Sequence, residues 1–344
     1  MSIMTGGKEP TAIKVGTQDV KAVYAGADKV WPTIPKLSLD EWRSNPSLGN
    51  AVGGNHTYSI AWGNGRWVAV GQGGVCAVSD DDGLSWVAVG SLSPLVDGND
   101  LKCVRWNGSQ FCTVGDKAAC ATSPDGLTWT SQPGLESSLM AYDMTRVIWS
   151  GSLWLAMGMQ AQCATSPDAV SWERRRQFNS ALGSNSMYGV AWGRFGPFEH
   201  VCVVGNFAKC ATSPDCNSWY EEKGLLEALG TTRRMNSVAY DGAQFCAVGD
   251  RADVATSPDA FMWTKQPKLA QVIGTEMMRT VIWDGSQFIV VGDSGKCGAS
   301  DDGVSWAGKS GLETAVGSTT MYDIAYNGSM VITVGDGGAC ASSD

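Results

Sequence analysis

Seven tryptophans recur along the chain at almost constant spacing. Trp42, Trp86, Trp129, Trp172, Trp219, Trp263 and Trp306 lie 44, 43, 43, 47, 44 and 43 residues apart. A period of roughly 40–45 residues marks an array of like supersecondary units, none of which buries its apolar face alone. Six of the tryptophans close variants of one stretch. These are "VCAVSDDDGLSW", "CATSPDGLTW", "CATSPDAVSW", "CATSPDCNSW", "VATSPDAFMW" and "CGASDDGVSW", ending at Trp86, Trp129, Trp172, Trp219, Trp263 and Trp306. A further unit begins at Met321 and stops at Asp344 in "CASSD", a few residues short of its tryptophan. With Asp344 set against Asp125, the missing end corresponds to Leu39, Asp40, Glu41 and Trp42. The two ends of the chain are therefore expected to share one unit. Such a break suits a closed ring, whereas an open solenoid would need capped ends.

Each unit divides into four short runs. In one of them "LKCVRW" (101–106), "QFCTVG" (110–115), "ACATS" (119–123) and "LTWTSQ" (127–132) read as strands A to D. Apolar residues alternate in A and B, and Asn-Gly or Asp-Gly pairs recur between runs, both signals of antiparallel hairpins. Four strands repeated seven times predict an all-β, seven-bladed β-propeller over residues 37–344, its last blade completed by an N-terminal strand. Residues 1–36 remain outside it as a short strand-rich arm.

The same register accounts for the aromatic residues and cysteines. A second aromatic ring ends strand A at Trp62, Trp106, Trp149, Trp192, Tyr240, Trp283 and Tyr326. Trp67 and Trp154 take a strand B slot that holds Phe111, Phe245 and Phe288 elsewhere. These side chains are expected to fill the wedge between splayed blades rather than to stack on a ligand. Cys76, Cys120, Cys163, Cys210, Cys297 and Cys340 share one strand C slot with Val254, which marks them as small buried hydrophobes.

Composition narrows the function. A formal charge of −9 argues against a nucleic-acid surface, which needs clustered Lys and Arg. The run Arg174-Arg175-Arg176 reads as a solvated loop. The N-terminus lacks the apolar core of a secretory signal, and no run reaches membrane-spanning length, so no membrane insertion is expected. Eleven cysteines without a C-x-x-C pair suggest free thiols and folding in a reducing cytoplasm, and neither a metal nor a cofactor is expected.

Strand alternation puts the A–B and C–D turns on one face of the disc. The B–C turns and the D–A connections, about fifteen residues each, lie on the other. Long loops on a rigid scaffold are where binding concentrates. The residue four before the strand A aromatic varies from blade to blade: Tyr58, Lys102, Thr145, Tyr188, Asn236, Arg279 and Tyr322. With Arg146 and Asp323 one position further on, these residues are expected to surround the channel mouth. The candidate ligand-binding rim is therefore Tyr58, Lys102, Arg146, Tyr188, Asn236, Arg279 and Tyr322. A second candidate is an incomplete acidic ring after strand B: Asp116, Asp250, Asp293 and Asp336. Gln72, Met159 and Asn206 stand in that slot in other blades. Oxygen ligands in a ring suit a hard cation, but a simple turn role is the preferred reading.

"SDDDGLSW" (79–86) resembles the Asp-box of sialidases and related propellers, Ser-x-Asp-x-Gly-x-Thr-Trp. In "TSPDGLTW" proline is read at the usual aspartate position, with Asp125 one residue later. Asp82, Asp125, Asp168, Asp215, Asp259 and Asp302 are expected to shape turns, and the seven tryptophans to anchor blades. The resemblance implies architecture and no activity. A sialidase site would need an arginine cluster, but Arg105, Arg146 and Arg279 sit at three different offsets, and no Tyr/Glu pair joins them. Neither His56 nor His200 lies in a nucleophile motif. The chain is read as a non-enzyme.

In the arm, "VKAVYAGADKVWP" (20–32) resembles a short element near the start of many bacteriophage tail and tail-fibre proteins. The resemblance implies a virion component made in the bacterial cytoplasm. Its arm would dock on other tail proteins by strand pairing, as a homo-oligomer in the particle, and its propeller would contact a host glycan or receptor. The alternatives are a bacterial propeller lectin or protein-interaction module and, third, a sialidase-like glycoside hydrolase.

Overall fold

The structure, a computed structural model, describes residues 36–195 and 198–344, together with the backbone of four short strands in the arm. In the arm, Ile13–Val15 pairs with Gln18–Val20 and Val23–Ala25 with Asp28–Trp31, both antiparallel. The arm's side chains, and with them the docking role, lie outside the described residues.

Seven antiparallel sheets of four strands follow, covering 57–88, 101–131, 144–174, 187–222, 235–265, 278–308 and 321–343. They form a seven-bladed β-propeller. Blade 2 shows the common register: Trp106 faces Phe111, Cys112 faces Thr122, and Thr122 faces Thr130. Strand A of each blade packs against strand A of the next, and that of blade 7 against that of blade 1. Blade 7 takes its fourth strand from Arg43–Ser44, with Ser342 opposite Arg43 and Ala341 opposite Ser44. The turn before it is also assembled from both ends, since the Ser343 hydroxyl donates to the Glu41 carbonyl at 2.7 Å.

Packing follows the repeat. Trp129 is buried with Val68, Cys76 and Val78 of blade 1 and Phe111 and Ala121 of its own blade. Trp86 likewise sits with Ile332, Val334 and Cys340 of blade 7. Each wedge tryptophan is pinned at its indole nitrogen: Trp129 Nε1 donates to the Gly126 carbonyl at 2.9 Å, and Trp42 Nε1 to that of Leu39 at 3.0 Å. All eleven cysteines are free and buried, and burial pushes the thiols of Cys76, Cys297 and Cys340 up to about 12. Thiols so far from ionising are poor nucleophiles.

Four details differ from the sequence reading. Strand D is Thr130–Ser131 in blade 2, not 127–132. The reason is local: the N–H groups of Leu127 and Thr128 are taken by the Asp125 carboxylate at 2.9 and 2.7 Å, so they cannot join a ladder. Asp168, Asp215, Asp259 and Asp302 repeat this arrangement. In blade 1, however, the turn carboxylate is Asp81, which accepts from Ser85 N and from the Ser79 hydroxyl, both at 2.8 Å. Asp82 is the exposed extra residue at φ 57°. Counted from the serine, Asp81 and Asp125 occupy one position, and Pro124 does not displace the aspartate.

The third difference is helical. Seven short helices fill the D–A connections: α1 Ser47–Ala51, α2 Leu92–Leu95, α3 Gly134–Leu139, α4 Arg176–Leu182, α5 Gly224–Leu229, α6 Lys268–Ile273 and α7 Gly311–Val316. Apolar residues four apart, such as Leu135 with Leu139 and Leu225 with Leu229, give each a buried stripe. Left-handed residues end two of them, Met140 after α3 and Gly230, at φ 62°, after α5. Lastly, the three arginines at 174–176 are not a loop. Arg174 ends strand D, Arg175 bonds Thr165 at 2.8 Å, and Arg176 opens α4.

Candidate functional site

Strand A carries a β-bulge in every blade, always at the same place. The register skips Tyr58, Lys102, Thr145, Tyr188, Asn236, Arg279 and Tyr322. A bulged residue leaves the ladder, and its side chain is re-aimed. The bulge is set by a close approach on strand B. The N–H after Gly115, that of Asp116, bonds the Asp100 carbonyl at 2.9 Å, and a Cβ on Gly115 would sit 1.9 Å from that oxygen. A glycine ends strand B in all seven blades.

The re-aimed side chains meet in a cavity of about 220 Å³ at the mouth of the central channel. Tyr58, Lys102, Arg146, Tyr188, Asn236, Arg279 and Tyr322 all line it, joined by Thr145, Met144, Met159, Asp116, Asp143 and Arg234. The sequence reading missed Arg234. It precedes strand A, in a slot that also varies (His56, Asp100, Asp143, Ser186, Met277, Thr320), so the same comparison among blades would have found it.

Each rim tyrosine has a cation against its ring. Lys102 Nζ lies 4.3 Å from the Tyr58 ring centre, Arg234 5.1 Å from Tyr188 and Arg279 5.5 Å from Tyr322. Tyr58 and Tyr322 meet edge to face at 5.3 Å. Such contacts hold both partners in place at modest cost in entropy.

The acidic slot serves these cations. Asp293 pairs with Arg279 at 2.7 Å, Asp250 lies 3.5 Å from Arg234, and Asp116 lies 3.5 Å from Lys102, which Asp100 also holds at 2.8 Å. Asp336 accepts the Tyr322 hydroxyl at 2.6 Å and lies 3.1 Å from His56. Burial works against the Lys102 ammonium, but Asp100 and Asp116 hold its pKa above the ordinary value. Burial, with help from Asp336, raises that of the Tyr322 phenol. Among the described residues no three His, Cys, Asp or Glu side chains converge as metal ligands.

One layer below, Asp323 is buried. It accepts from Ser59 Oγ at 2.7 Å and from Arg105 Nη1 at 3.1 Å, tying blades 7, 1 and 2 together. Burial opposes the Arg105 charge, but Asp323 overrides it and raises its pKa. Arg105 is thus a structural partner, while Arg146 and Arg279 reach the cavity.

Lys36 and Leu37, the first described residues of the propeller segment, lie on the opposite face. Leu37 O accepts from Gln287 Nε2 at 2.9 Å in an A–B turn, and Lys36 pairs with Asp301 at 2.5 Å in a C–D turn. The cavity is built at the other end of the strands.

Neither a protein-family pattern nor a curated protein matches the sequence. Solved structures do match in fold. YCF48 bound to D1 peptide superposes with a TM-score of 0.66 at 14% identity, over 90% of this chain and 99% of that one. A catalytically inactive virginiamycin B lyase from Staphylococcus aureus with quinupristin gives 0.67 at 9% identity, over 88% and 98%. The WD40 propeller domain of Doa1 gives 0.59 at 8%, over 84% and 93%. These likenesses establish the propeller fold. Among the described residues no helix is long and apolar enough to cross a membrane.

Proposed function

We propose that the chain is a non-enzymatic receptor-binding protein: the propeller presents its channel mouth to a receptor, and the N-terminal arm fastens it to a larger particle. One observation carries this reading. The polypeptide joins the propeller at Lys36 and Leu37 on the turn face, so a particle held through the arm leaves the cavity face unobstructed. The resemblance of residues 20–32 to phage tail proteins supports a tail as that particle and a host surface glycan or receptor as the target. The cavity favours recognition over turnover, because Lys102, Arg279 and Tyr322 are held by neighbouring carboxylates rather than arranged around a nucleophile and base.

Deleting residues 1–36 tests the attachment. Particles should lose the protein while the propeller stays folded by thermal melting, and undiminished incorporation would overturn the reading. Host cells should bind the isolated propeller and lose it on substitution at the rim. Turnover of a fluorogenic sialoside would instead establish the hydrolase alternative. A peptide-binding role is the second reading, favoured by the peptide carried by YCF48 in the same fold. A protein receptor captured by the cavity face would support it.

A further inference from the structure

The rim is not uniform around the ring. In blades 2, 5, 6 and 7 an aspartate follows strand B and holds the cation or hydroxyl of its own blade. In blades 3 and 4 the same slot holds Met159 and Asn206, and it is there that Arg146 and Tyr188 enter the cavity. Among the described residues Arg146 has no carboxylate partner, and its Nη1 donates only to its neighbour's carbonyl, Thr145 O, at 2.9 Å. Arg234, across Tyr188, is also incompletely used. Its Nε is buried without any acceptor, and its Nη2 has Asp250 at 3.5 Å and the Met277 sulfur at 3.1 Å. A buried guanidinium N–H without a partner is costly and is rarely left so.

We propose that Arg146 and Arg234, with Tyr188 between them, form a subsite for the carboxylate of an acidic sugar, the terminal residue of a sialylated or uronic-acid glycan. This rests on the cavity face being the receptor-binding face. A guanidinium matches a carboxylate in shape and binds it with two parallel hydrogen bonds. The carboxylate supplies the partner that the Arg146 guanidinium lacks. Tyr188 and Met159 offer apolar surface to a sugar ring, and the cavity, below the roughly 300–1,000 Å³ usual for drug-sized ligands, accommodates one terminal residue. The paired half of the rim, from Arg279 to Lys102, has no such deficit and serves neutral hydroxyls.

The test uses the whole chain and defined probes: 3′-sialyllactose, a glucuronic-acid disaccharide, lactose, and a short peptide with either a free or an amidated C-terminus. Binding is followed by titration calorimetry and by ligand-observed NMR. The expected result is binding of at least one acidic glycan, at least tenfold weaker or absent for its neutral counterpart, and lost tenfold or more in Arg146→Gln and in Arg234→Gln. Arg251→Gln, a surface charge outside the cavity, should leave affinity unchanged, and each variant's melting curve checks that it folds. Neutral glycan binding that neither arginine affects would overturn the subsite while leaving the receptor reading intact. Binding of the free-carboxylate peptide alone would also overturn it, in favour of a peptide terminus. No binding of any probe, by a chain that still attaches to cells through the cavity face, would overturn it as well. Loss of attachment through that face would instead strike the underlying reading.

Discussion

The two faces of the disc obey opposite rules. On the turn face, blades 2 to 6 carry one device nearly unchanged, in which an aspartate takes two backbone N–H groups and a tryptophan bonds the carbonyl three residues back. Blade 1 has it with one residue inserted, and blade 7 makes its tryptophan contact within the N-terminal segment, from Trp42 to Leu39, with Ser343 tying that turn to the C-terminal strand. On the cavity face, one backbone device, the bulge, presents seven positions filled by five residue types. Repetition marks what packing demands, and variation on a fixed backbone marks what packing leaves free. Substitutions on the two faces should therefore separate stability from recognition.

The largest loss is expected on the turn side of the wedge. Trp129→Ala empties a buried indole site between blades 1 and 2, and such truncations cost about 3–5 kcal/mol. Denaturant unfolding should show the fall directly, and a change below about 1 kcal/mol would mean that the wedge collapses without penalty. Asp323→Ala comes next. It strands Arg105 and Ser59 at the junction of blades 7, 1 and 2, and removal of one partner of a buried pair costs about 3 kcal/mol. Here the comparison is sharpened, because Asp323 lies one residue from a rim position yet serves the scaffold.

How much of this was legible follows from what a repeat can reveal. Seven copies act as an internal alignment, so blade number, wedge tryptophans, buried cysteines and the variable rim slot could all be read from one sequence. Seven of the cavity-lining side chains were found that way. The bulge was not, because a one-residue register slip leaves no mark in an alternating pattern that already fits a strand. The helices were hidden behind their brevity: a stripe such as Leu225 and Leu229 is two residues long, though the glycine after it was visible. Counting back from the tryptophan points to Asp82 in the run of three aspartates, whereas the turn is organised forward from Ser79 and uses Asp81. Which cations are paired is a matter of three-dimensional neighbours, and no spacing encodes it.

A smaller effect is expected from the turn carboxylates themselves. Asp125→Ala forfeits hydrogen bonds to two backbone N–H groups and should cost about 1–2 kcal/mol in an otherwise intact fold. The same bonds make the propeller acid-sensitive. Backbone and hydroxyl donors outweigh burial and hold Asp81, Asp125, Asp168 and Asp215 below the usual carboxylate range, and Asp302 at about 2. In the unfolded chain an aspartate titrates near 3.9. Each folded pKa is depressed, so the stabilisation is fully present above about pH 4 and is lost as pH falls toward 2. The melting temperature should stay level from pH 7 to 5 and then drop, with a shallower drop in Asp302→Asn. A level profile down to pH 2 would show that these turns do not bear on stability.

The smallest effect on stability should fall on the cavity face, and it is the sharpest test of the contrast. Met159→Asp gives blade 3 the aspartate that blades 2, 5, 6 and 7 already carry in that slot, on the same backbone turn. Because four blades tolerate the residue there, the melting curve should move by no more than about 0.5 kcal/mol. The new carboxylate, however, stands where it can pair with Arg146 and repel an incoming anion. If the unpaired arginine is what recognises an acidic ligand, this variant should lose binding of that ligand while keeping its fold, and raised salt should not restore it. An unstable Met159→Asp would mean that the acid-free slot is a packing requirement of blade 3. A stable one that binds unchanged would mean that the asymmetry of the rim has no part in recognition.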